Sequence, residues 1–116
     1  MTDLHKLAAI PQPPPVPTDS PSVHDQVMAQ LEHNSPAYHV VEGRKAFGFH
    51  KYGTPLQVDN ERDHLGDWVQ ERGDAACYAW AAYIASGYDP ELAALFLDEI
   101  EGLKRLADYV DAISHG

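Results

Sequence analysis

One cysteine, eight basic residues and no long apolar run: these are what this chain of 116 residues has little of. The single thiol, Cys77, excludes an intrachain disulfide and fits a reducing compartment. Eight Lys and Arg against eighteen Asp and Glu leave a net charge of -10. With no basic cluster among them, binding driven by a nucleic-acid backbone is disfavoured. No segment approaches the length of a bilayer span, and the start, MTDLHKLAAIP, lacks the apolar stretch of a secretory signal. Alternation of apolar and polar residues is missing too, so strands have no pattern to form from. The expectation is an all-α, cytoplasmic protein with no membrane and no duplex partner.

Proline, by contrast, is concentrated. The run 11-PQPPPVPTDSP-21 holds six of the nine prolines. Proline fixes φ and removes the backbone donor, so this stretch reads as an extended arm. The domain division read from composition is an arm over residues 1–21 and a helical domain over 22–116. Leu4, Leu7 and Ala8 suit a short helical turn, isolated by the prolines that follow. The arm is expected to lie outside the core, and so small a core suits completion by homo-oligomerisation.

Beyond the arm the punctuation is helical. Ser22 is a candidate N-cap for a helix with Val23, Val27 and Leu31 on one face, ending near Asn34 because Pro36 disfavours α geometry at Ser35. Ser35 and Pro36 then suit the cap and first position of a second helix, reaching about Phe49. A third begins near Asp63 or His64, with Leu65, Trp68, Val69, Ala76, Ala79, Trp80, Tyr83 and Ile84 as its apolar stripe. Gly87 closes it, and Asp89-Pro90-Glu91 restarts a helix lined by Leu92, Leu95, Phe96, Leu103, Leu106, Val110 and Ile113. The predicted fold is a small bundle of three to four helices. Cys77, one position from the core stripe and without a base partner, is expected to be a buried structural thiol.

Two features carry possible chemistry. Asp63, Asp67, Glu71, Asp74 and Tyr78 share one face of the third helix, opposite its apolar stripe. That face is either a solvated side or the place where carboxylates at i and i+3 hold Mg²⁺. The second feature is the preceding loop, 50-HKYGTPLQVDNERD-63. Lys51 and Arg62 suit phosphate oxygens, Tyr52 a stacked base, Gln57 and Asn60 a base edge or sugar, and Gly53 a conformation that other residues resist. The alternative is a capped turn whose polar groups satisfy its own backbone.

The string KYGTPLQ, then N-x-R-D, then D-x-x-x-E-x-x-D with an aromatic residue four positions on, resembles small bacteriophage proteins described as MazG-like. These are relatives of the all-α nucleoside triphosphate pyrophosphohydrolases. The likeness covers about residues 40–86. It implies a helical bundle completed by oligomerisation that converts a nucleoside triphosphate to monophosphate and pyrophosphate with Mg²⁺. It would make Glu71 and Asp74 catalytic metal ligands, with Asp67 and Glu42 as further ones. Lys51, Tyr52, Gly53, Thr54, Gln57, Asn60 and Arg62 would hold the nucleotide. The family's first motif, E-x-x-E, is missing: Glu32 and Glu42 are followed three residues on by Ser35 and Lys45. Three functions therefore stand open: a pyrophosphohydrolase-like enzyme, a nucleotide binder that does not hydrolyse, and a helical assembly module.

Overall fold

Five helices follow the order that the cap residues dictate. The computed structural model describes residues 3–115 and, among them, regular structure is entirely helical: α1 (Asp3–Ala9), α2 (Val23–Met28), α3 (Pro36–Tyr52), α4 (His64–Ala85) and α5 (Pro90–His115). Met1 and Thr2, where the sequence places the start of the first helical turn, and Gly116 lie outside the described residues. Among the described residues no helix is long and apolar enough to cross a membrane.

The caps explain the boundaries. The Ser22 and Ser35 hydroxyls accept from the backbone N–H groups of Asp25 and Tyr38, and the Asp63 carboxylate accepts from Gly66 N. Gly53 ends α3 in the left-handed region at φ 71°, its N–H donating to Phe49 O at 2.7 Å. Gly87, at φ 77°, turns the chain between α4 and α5. Asp89 Oδ1 then accepts from Glu91 N at 2.8 Å, and Pro90 opens α5. Two boundaries differ from expectation. The first of the expected helices, α2, stops at Met28 rather than near Asn34, which takes a left-handed φ of 61°, and α3 continues through Tyr52 rather than ending at Phe49.

The chain divides into two compact units: α1 with the segment from Asp63 onward, and Gln12–Arg62. In the first unit, Val69 of α4 and Leu106 and Val110 of α5 form the buried cluster, with Leu4, Leu7 and Leu65 packed against it. The expectation that the first twenty residues stay outside the core is therefore corrected for α1. Its last turn is also held by Gln70, whose Nε2 donates to Leu7 O at 3.0 Å and Ile10 O at 2.9 Å. These orphan carbonyls at a helix end find a side chain instead of water. Gly66 permits this approach, because a Cβ there would fall 2.5 Å from Asp63 Oδ2 and 3.1 Å from a Leu7 methyl.

The apolar stripe of α4 is covered only in part. Val69 and Ala76 are buried, whereas Trp68, Trp80 and Ile84 are exposed, as are Leu95 and Ile113 on α5. Cys77 is exposed, not buried as its neighbourhood in sequence suggested. Near the α4–α5 turn, Trp80 packs on Phe96 and Tyr83, with ring centroids 5.1 and 5.5 Å apart.

In the second unit, α2 and α3 pack together and Lys45 bonds Asp25 at 2.7 Å across them. The arm, residues 12–21, runs beside the loop 53–62, with Val16 N donating to Asn60 O at 2.9 Å. Val23 N, at the start of α2, donates to Leu56 O at 2.8 Å.

Candidate functional site

The loop residues singled out for chemistry separate into two groups. Thr54, Gln57 and Asn60 are buried, Gln57 to 3% and Asn60 to 1% exposure. Lys51, Tyr52 and Gly53 stay at the surface.

Gln57 reads the backbone of the arm. Its Oε1 accepts from Thr18 N at 2.9 Å, and its Nε2 donates to Thr18 O and Ser20 O, both at 2.7 Å. A proline-rich segment cannot satisfy its own polar groups through a helix or ladder, so a primary amide with both donor and acceptor serves it well. Asp59 adds two hydroxyl bonds, accepting from Thr18 Oγ1 at 2.7 Å and Ser20 Oγ at 2.9 Å. Arg62 Nη1 donates to Pro13 O at 3.0 Å. Gln57, read in the sequence as a base-edge group, thus clasps the chain's own arm, with Asp59 and Arg62 beside it. Sequence reasoning missed this partner, and it passed over Asp59 altogether. The available signal was a stretch of unsatisfiable backbone at 12–21 matched by the amide at 57.

The hydroxyl bonds from Thr18, and then from Ser20, hold the Asp59 carboxyl below its ordinary value of 3.8. A depressed carboxylate pKa stabilises the arm contact above that ordinary value and withdraws the stabilisation as pH falls through the folded value. Acidification below 3.8 is expected to loosen the arm, read as NMR shift changes at Thr18 and Ser20. Asp59→Asn should remove that pH dependence.

The second group forms a surface cluster. Tyr52 closes α3 with its ring 45% exposed, and two cations stand over that ring: Lys51 Nζ at 5.2 Å from the centroid and the Arg62 guanidinium at 5.7 Å. Lys51 also sits in the last turn of α3, where the helix dipole favours a cation. Asn60 joins this cluster to the clasp. Its Oδ1 accepts from Arg62 N at 3.1 Å, while its Nδ2 is buried without a hydrogen-bond partner among the described residues. A buried amide donor left unpaired is costly, and a water or a ligand oxygen would satisfy it.

The carboxylates do not assemble in the same way. Glu42 on α3 is exposed and lies 3.3 Å from His39 Nδ1. Glu71 and Asp74 are exposed on α4, and Asp67 is half-buried. Among the described residues no group of three or more His, Cys, Asp or Glu side chains could hold a metal ion. A Mg²⁺ centre of the kind used on phosphates draws on several oxygen ligands, so the donor set within one chain does not fit one. Arg72, next to Glu71, turns to α5 and lies 3.2 Å from Glu99.

Comparison with protein-family models, curated proteins and solved structures gave no match to this chain.

Proposed function

We propose that the chain binds a nucleotide and holds it without hydrolysis, phosphate toward Lys51 and Arg62 and base against Tyr52. The observation that supports this reading is the Tyr52 ring with two cations over it, in a protein whose net charge is -10. Guanidinium and ammonium groups suit phosphate oxygens, and an exposed aromatic face suits a base. Asn60 Nδ2, beside Arg62, offers a further donor. Holding is preferred to cleavage because, among the described residues, Glu71 and Asp74 are not joined by the additional carboxylates that metal-assisted phosphoryl chemistry uses.

The test is equilibrium binding of nucleoside mono- and triphosphates, with chromatography of the incubated mixture. Binding that weakens at least about tenfold in Lys51→Ala and in Tyr52→Leu, with triphosphates intact, is expected; each loss corresponds to about 1.4 kcal/mol. Monophosphate and pyrophosphate produced by the wild type but not by Glu71→Ala/Asp74→Ala would replace holding with hydrolysis. Triphosphates that neither bind nor change would sink both.

A second reading, assembly with further copies of the chain, is favoured by the large apolar side chains left exposed near the α4–α5 turn, Trp80, Ile84 and Leu95 among them. Sedimentation equilibrium gives the copy number.

A further inference from the structure

The opposite end of the α4–α5 hairpin carries a groove of about 490 Å³, lined by Trp68 and Arg72 from α4 and by Gly102, Arg105, Leu106 and Tyr109 from α5. Its volume lies within the range that holds a small organic ligand, about 300–1,000 Å³. Trp68 and Tyr109 are 57% and 58% exposed, so two large aromatic side chains of this groove remain uncovered.

The charges in it are unusual for this chain. Of its four arginines, two line this one groove, in a protein with eighteen acidic residues. The Arg105 side chain makes no hydrogen bond or ion pair among the described residues. Arg72 lies over the bare α-carbon of Gly102, where a Cβ would collide with its guanidinium. It is 3.2 Å from Glu99 Oε2, yet that oxygen accepts no hydrogen bond, so proximity here is not matched by alignment. An aligned pair would use the guanidinium fork on the carboxylate; this one leaves donors for another acceptor.

The geometry points to a binding site for a planar aromatic anion. Its rings would lie against Trp68, Leu106 and Tyr109, and its phosphate or carboxylate would meet Arg105, with Arg72 as the second cation. A guanidinium pairs bidentately with either anion and stacks on aromatic faces, which is the combination of side chains present. The site belongs wholly to the α1–α4–α5 unit and does not depend on the reading given to Lys51 and Tyr52.

Equilibrium dialysis with 1-naphthyl phosphate tests it, with 1-naphthol and inorganic phosphate as the ring-only and anion-only controls. The phosphate ester is expected to bind at least about tenfold more tightly than either control. Arg105→Gln, an exposed change that leaves the core intact, should remove that advantage, and Tyr109→Leu should weaken the ester and naphthol together. The share of ester binding lost in Arg105→Gln should persist in a Lys51→Ala background, which separates this site from the α3 cluster. Equal binding of naphthol and its phosphate would overturn the proposal, as would indifference to Arg105→Gln. So would a dimer that Trp68→Ser dissociates while the ester stays unbound, because a second copy would then cover the groove.

Discussion

Gln57→Ala is expected to release the proline-rich arm and to lower the stability of the Gln12–Arg62 unit by about 3 kcal/mol. That figure counts three hydrogen bonds at about 1 kcal/mol each. The effect is large because the side chain serves three backbone groups at once and is almost fully buried. Its removal leaves the Thr18 amide and the carbonyls of Thr18 and Ser20 in need of other partners. Chemical denaturation measures the stability change, and limited proteolysis reads the arm directly, with cleavage inside residues 12–21 becoming fast. Gln57→Glu separates geometry from chemistry. It keeps the acceptor for Thr18 N but places a carboxylate against two carbonyl oxygens, so it should release the arm as the alanine does. An arm that stays protected in both variants would show that Val16, Asp59 and Arg62 suffice to hold it.

Val110→Asp should be the more damaging change, with a loss of more than about 4 kcal/mol. Val110 is 2% exposed and shares its cluster with Val69 and Leu106, against which Leu4, Leu7 and Leu65 pack. The cluster is small, and each side chain named in it is apolar, so none can pair with a carboxylate. Net stabilities of domains this size are about 5–15 kcal/mol, so most of the margin would disappear. The expected observation is loss of helical circular dichroism at ambient temperature and neutral pH. Partial recovery in acid, where the new carboxyl is neutral, would identify charge burial as the cause. Val110→Ala provides the milder control, removing methyl groups without adding charge.

These two residues illustrate what the sequence does and does not disclose. The helix ends were legible because capping is local: Ser22, Ser35 with Pro36, Asp63, Gly87 and Asp89 with Pro90 each act within four residues of themselves. The all-α class followed from periodicity and the absence of alternation. Which part of each stripe is covered did not follow. Trp68 and Val69 are neighbours about 100° apart on the helix, both apolar, and only packing decides that Val69 is the one buried. The same applies to Cys77, exposed beside the buried Ala76. The clasp was invisible for another reason. It joins residues 13–20 to 57–62, some forty positions apart, through single side chains, the Gln57 amide and the Arg62 guanidinium, that no periodic signal marks. Of the loop residues, Lys51, Tyr52 and Arg62 converge at the surface, whereas Gln57 and Asn60 have turned inward.

The division of the chain bears on how it is made. The Gln12–Arg62 unit is continuous, so every partner of its arm and loop has been synthesised once Arg62 is joined. The other unit is interrupted: α1 is translated before the helices it packs on, which begin at His64 and Pro90. As the ribosome adds about 5–20 residues per second, α1 spends several seconds with Leu4 and Leu7 uncovered before Leu106 and Val110 emerge. A helix of seven residues is not stable in water by itself over that interval. It therefore folds only after the whole Gln12–Arg62 unit has been made, although it precedes that unit in the sequence.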